Sequence, residues 1–67
     1  MAKVGDIVKM QKGTYKDRLG VVIAIRNNIL CDVKLARPGE RRSRISLDMP
    51  GIVVTNCLEI EDFIISK

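Results

Sequence analysis

Apolar residues along this chain come in short bursts, many alternating with polar ones, and Gly, Pro or Asn interrupts them every few positions. Alternation with period two puts one side of a strand in a core and the other in water, so the pattern predicts short strands rather than helices. A first strand is expected over residues 6–10, with Val8 and Met10 on the core side, followed by a polar loop over 11–19. Gly20 opens the run Val21-Val22-Ile23-Ala24-Ile25-Arg26, whose β-branched side chains suit a second strand. In residues 29–35, Ile29, Cys31, Val33 and Leu35 alternate with Asp32 and Lys34, the mark of a half-buried third strand.

Pro38-Gly39 cannot continue a central strand, so 36–40 is a turn. Residues 41–47 then read as a strand with Ile45 and Leu47 facing in and Arg42, Arg44 and Ser46 facing out. Met49-Pro50-Gly51 breaks the chain before a strand at 52–55; Asn56 is expected to start a tight turn ahead of Leu58-Glu59-Ile60, and Phe63-Ile64-Ile65 to close the sheet. Loop parity fixes an expected register for the second hairpin. A two-residue turn at Asn27-Asn28 would set Ile23 opposite Asp32, whereas a three-residue loop, Arg26-Asn27-Asn28, pairs Ile25 with Ile29, Ile23 with Cys31 and Val21 with Val33, with Asn28 in the left-handed region.

The chain has 67 residues, enough for one domain over residues 1–67, and at that size folding buries only about 60% of the unfolded surface. Seven Val, nine Ile and five Leu stand against Tyr15 and Phe63 as the only aromatics, so the core must be interlocked aliphatic side chains. The expected fold class is all-β, a small barrel of about five short antiparallel strands. No apolar leader follows Met1-Ala2-Lys3 and no later run is long enough to span a membrane, which leads to a cytoplasmic expectation. Cys31 and Cys57 lack CxxC spacing and the chain has no His, so buried free thiols are favoured over a disulfide or a zinc site, and no cofactor is expected.

Charge is unevenly placed. Residues 9–44 hold ten Lys/Arg against Asp17, Asp32 and Glu40, a net of +7, while in 45–67 Asp48, Glu59, Glu61 and Asp62 face only Lys67, a net of −3. One basic side and one acidic side follow.

Gly5-Asp6-Ile7-Val8-Lys9-Met10, then Gly13, Lys16, Gly20 and Val22, resembles the KOW motif of ribosomal proteins and of transcription elongation factors of the NusG type. The likeness covers residues 4–26, about a third of the chain. It implies an SH3-like barrel whose first hairpin is a strand, a basic loop and a glycine-initiated second strand. It also implies a role in transcription or translation, because domains of this kind bind RNA in some members and dock proteins in others. Asp17 departs from the pattern, which has glycine after the lysine.

Lys12, Lys16 and Arg18 share the loop and can follow one phosphate track, although solvated loops are rich in such residues anyway. Tyr15 sits among them, able to stack on a base, fill a partner's pocket or pack back over the end of the barrel. Arg37, Arg41, Arg42 and Arg44 form the densest cationic cluster; Arg42 and Arg44 at strand spacing would share a face, for phosphate contact or for protecting a sheet edge from other chains. Arg26 and Lys34 read as surface solubility, and Gly20 as a close approach of backbones or an unusual dihedral. With no His, no nucleophile elbow and no phosphate-cradling glycine loop ending in Lys-Ser/Thr, the residues argue against an enzyme. The expected function is nucleic-acid binding, RNA or DNA, mainly through phosphates; the alternative is a docking subunit whose basic face meets an acidic protein.

Overall fold

The computed structural model describes residues 1–66. Five strands, β1 (Ile7–Met10), β2 (Leu19–Arg26), β3 (Leu30–Leu35), β4 (Val53–Cys57) and β5 (Phe63–Ile65), form one antiparallel sheet in the order β4-β3-β2-β1-β5. β1 to β4 follow one another across the sheet, and β5 returns to the far side of β1, with Phe63 opposite Met10 and Ile65 opposite Val8. β4 and β5 are therefore its edges; among the described residues no ladder joins them, and the sheet is not closed into a barrel. Among the described residues no helix is long and apolar enough to cross a membrane.

Both faces of the sheet carry a core. Val8, Met10, Val22, Cys31, Val33, Leu35, Cys57 and Phe63 make the inner one. Fully burying a Val, Leu or Phe contributes about 1.5–3 kcal/mol, so Phe63, Leu35 and Val33, all essentially inaccessible, anchor β5 and β3 to it. The outer core is smaller: Val21, Ala36 and Ile45, with Ile7, Leu19, Ile23 and Met49 packed around them.

Val21 and Val22 thus face opposite cores, but Ile25 packs against the inner cluster with Val22, three residues away. A bulge explains this: Val22 pairs with Val33 and Ala24 with Asp32, so Ile23 is one residue more than β3 supplies. β4 does the same on the other side of β3. Val54 pairs with Val33 and Cys57 with Cys31, leaving Thr55 and Asn56 against Asp32 alone, with Asn56 at φ 58°.

These insertions correct the expected register. Arg26 pairs with Leu30 and Ile25 with Cys31, not Ile29. Asn27 and Asn28 both take positive φ, 52° and 64°, in a turn closed by the Ile29 N–H to the Arg26 carbonyl, and Ile29 is left outside the ladder and 61% exposed. Cys31, Val33 and Leu35 do face the inner core as expected, whereas Asp32 is buried rather than solvated.

The expected strand at 41–47 is not one. Arg42–Arg44 is a 3₁₀ turn, so Arg42 and Arg44 do not share a strand face, and Leu47 is exposed while Ile45 is buried. The places beside β3 and β1 are already taken by β4 and β5, and a turn keeps Arg42, Ser43 and Arg44 in water while Ile45 reaches Val21. Asn56 likewise bulges within β4 instead of starting a turn. The tight turn comes later, where the Asp62 N–H donates to the Leu58 carbonyl at 2.8 Å.

Gly20 and Gly51 let the chain approach β3 from both sides. A Cβ on Gly20 would lie 2.7 Å from the Lys34 carbonyl oxygen, and one on Gly51 2.2 Å from that of Leu35. The close approach expected at Gly20 is thus observed, and Gly51 makes a second.

Candidate nucleic-acid interface

The basic loop leaves β1 and re-enters the ladder under tight backbone control. The Asp17 N–H donates to the Met10 carbonyl at 2.8 Å, the Met10 N–H to the Arg18 carbonyl at 2.9 Å, and the Arg18 N–H to the Tyr15 carbonyl at 3.0 Å. Gly13 and Asp17 both have positive φ, 81° and 71°. Asp17 therefore occupies a backbone conformation that glycine adopts without strain.

At the base of this loop Arg18 donates from Nε (3.0 Å) and a terminal nitrogen (2.7 Å) to the Ala36 carbonyl, while the Ala36 N–H donates back to the Leu19 carbonyl at 2.8 Å. The two basic segments, far apart in sequence, meet here, with Arg37 following directly. The Arg18 guanidinium also lies 5.5 Å from the centroid of the Tyr15 ring, a cation–π distance. At the other end of the second segment Arg42 donates to the hydroxyl and carbonyl oxygens of Ser66, next to the Ser66 N–H that pairs with the Ile7 carbonyl. Segment 37–45 is thereby laid over the outer face of β1 and β2, between the basic loop and the end of β5.

The candidate cations fall into three groups. Arg18 and Arg42 hold the two segments to the sheet. Lys12 is 3.5 Å from Asp62 and Arg37 3.6 Å from Glu40, each with a well-exposed cation, so these pairs constrain little. Lys16, Arg41 and Arg44 are exposed and have no ion-pair partner among the described residues. Tyr15 is half-buried against the inner core, and its ring also lines a groove of about 370 Å³ between the basic loop and β4. The groove's β4 side is Val54, Thr55, Asn56 and Cys57; the sequence pointed to a strand at 52–55, a turn at Asn56 and a free thiol at Cys57, and to a binding role for none of them.

Arg26, read as a surface cation, instead grips Asp32 through both carboxylate oxygens and also donates to the Asn56 side chain, while the Asn56 N–H reaches Asp32 at 3.3 Å. Cys31 and Cys57 are free thiols on paired positions of β3 and β4. Burial pushes the Cys31 thiol pKa up, with Glu59 and Asp32 adding to it, and burial followed by Asp62 and Cys31 does the same for Cys57. On the acidic side, Glu59 accepts from the Ala2 N–H at 2.8 Å, beside a cleft walled by Met1, Ile25, Ile29 and Leu58.

Comparison with protein-family models, with curated proteins and with solved structures finds no match. The functional reading therefore rests on these residues and their placement.

Proposed function

We propose that this chain is a nucleic-acid-binding module of SH3-like, KOW-like build that holds phosphates on the face made by its two basic segments, in transcription or translation. The observation that carries the reading is the Arg18 guanidinium on the Ala36 carbonyl, which sets loop 11–18 against segment 37–44. Lys16, Arg41 and Arg44 supply free cations to that face, with Lys12 and Arg37 beside them, while Arg18 and Arg42 keep it in place. Because Arg18 and Arg42 fix the two backbone segments to the sheet, the cations those segments carry are presented to a phosphate backbone together. The strand order, with β5 returning to β1, and the two bulges that bend the sheet about β3 support an SH3-like, partly open barrel. The positive φ of Asp17 supports a KOW-like loop path. With no His in the chain, we read it as a binder and not an enzyme.

The test is a salt titration of affinity for RNA and DNA. The logarithm of the binding constant should fall with the logarithm of salt concentration, by about 0.9 per neutralised phosphate on a duplex and about 0.7 on a single strand. Reversing Lys16, Arg41 and Arg44 to Glu should weaken binding at low salt by about tenfold or more. Binding absent at low ionic strength, or unmoved by the triple reversal, would refute the proposal.

A second reading, a docking subunit, draws on the apolar cleft beside Glu59 and on the exposure of Met1, Ile29 and Ile60. Pull-down from nuclease-treated extract separates the two, since protein partners that survive nuclease favour docking.

A further inference from the structure

We propose that the groove between the basic loop and β4 receives an unpaired base, so that the nucleic acid this module holds is single-stranded. The inference rests on the nucleic-acid reading above and adds to it a base site that phosphate contacts alone do not require.

Three observations converge on the groove. Its volume, about 370 Å³, falls within the range of small-ligand sites, about 300–1,000 Å³. Its apolar side is Tyr15 with Met10 and Val54, and Tyr15 is the chain's single tyrosine, packed against the inner core with the Arg18 guanidinium 5.5 Å from its ring centroid. An aromatic ring fixed in this way is a stacking platform that has already lost its side-chain freedom. Its polar side is Thr14, Thr55 and Asn56, of which Asn56 already accepts from Arg26 through its side-chain oxygen, and β4 is an edge strand, so backbone N–H and C=O groups along its outer side have no strand partner. Donors and acceptors beside an aromatic wall match the edge and face of a nucleobase.

The basic loop beside the groove favours an anionic strand as the occupant. Lys12 lines the groove, and Lys16 stands on the same loop near Lys9, Gln11 and Asp17, where Asp17 offsets Lys9 and leaves Lys16 without an ion-pair partner among the described residues. Asp62, the one acidic residue on the lining, is paired with Lys12. A strand whose phosphates follow the loop can turn one base toward Tyr15. A duplex, with its bases paired and stacked, has no free base face to turn into the groove.

The chain has one tyrosine and no tryptophan, so its tyrosine emission reports Tyr15 alone. Oligothymidylate, oligouridylate, a strand of the same length made of abasic units and a duplex are titrated at one low salt concentration. Affinity is read from anisotropy of labelled strands and occupancy of the groove from tyrosine emission. The two based strands should quench Tyr15 in step with binding and bind about 5- to 100-fold more tightly than the abasic strand; whichever binds more tightly says whether RNA or DNA is preferred. Tyr15→Leu, which keeps apolar bulk against the core, should shrink the ratio of based to abasic affinity. Thr55→Gln, a longer neutral side chain at an exposed position, should shrink it without disturbing the core. If based and abasic strands bind equally and Tyr15 emission does not move, the base site is overturned while phosphate binding stands. If no strand binds, both readings fall.

Discussion

Arg26 donates to both carboxylate oxygens of Asp32, at 2.6 and 2.8 Å, beside the turn that joins β2 to β3. The Asp32 side chain is 11% exposed and that of Arg26 47%, so a nearly buried acid depends on a half-solvated base. Removing Arg26 leaves the carboxylate with only the Asn56 N–H as a further donor. Arg26→Met should cost about 1–3 kcal/mol in urea unfolding, and Arg26→Lys, which loses the forked geometry, somewhat less. Equal stability of Arg26→Met and the parent chain would show that the pair is only a surface contact.

Backbone contact and backbone dihedral make separable demands on the glycines. Gly20→Ala and Gly51→Ala force a methyl group into carbonyl oxygens of β3, and each should destabilise the fold by about 2–3 kcal/mol. Gly13→Ala meets open space and only the cost of its positive φ, about 1–2 kcal/mol. Thermal unfolding of the three variants should follow that ranking, and a Gly51 variant as stable as the parent would contradict the close approach.

Asp17→Gly relieves a left-handed side chain and removes a carboxylate from a loop of lysines. Stability should stay level or rise by up to about 1 kcal/mol. Affinity for a polyanion should rise, because Lys9, 3.8 Å from the Asp17 carboxylate, is freed as well. A measured drop in affinity for DNA or RNA would mean that Asp17 is itself part of the contact.

The two buried thiols make stability depend on pH at the alkaline end. Unfolding returns them to an ordinary thiol pKa of about 8.5, so above that pH the unfolded chain gives up protons that the folded chain keeps. Their contribution is fully present below the unfolded value and is lost as pH rises toward the raised folded values. Denaturant midpoints followed from pH 7 to pH 10 should fall more steeply for the parent than for a Cys31→Ala, Cys57→Ala double variant. Parallel curves would remove the thiols as the cause.

Arg18 and Lys16, two residues apart, should fail in different ways. Lys16→Gln should flatten the salt dependence of binding by about one phosphate's worth and leave stability within about 0.5 kcal/mol. Arg18→Met should lower stability, because it removes both donors to the Ala36 carbonyl and the cation over Tyr15. Denaturation and salt titration on the same two proteins check this.

Alternation located β1 and β3, because Val8, Met10 and Val33 each answer to a single buried face, while β2 was marked by its β-branched run and β5 by no alternation at all. It erred where the chain departs from period two. Ile23 and the pair Thr55-Asn56 are insertions, and a bulge adds a residue without changing local hydrophobicity, so nothing in the pattern announces it. The segment at 41–47 has one buried residue, Ile45, and one such position cannot distinguish a strand from a turn. At the candidate interface the cations were visible as a charge run. That Arg18 and Arg42 are tied down while Lys16, Arg41 and Arg44 stay free was not, since the carbonyl of Ala36 and the end of β5 carry no mark in the sequence.

The twin insertions flanking Asp32 act like the wards of a lock. On β2 and β4 alike, the pairings nearer the Asn27-Asn28 turn are one step out of phase with those farther from it, while β3 runs through both unbroken. A neighbour displaced by one residue could restore one block only by spoiling the other, so the sheet admits a single alignment. The offset belongs to β2 and β4 and not to β3, and a one-residue slip of either neighbour would turn Val22 or Cys57 away from the inner core.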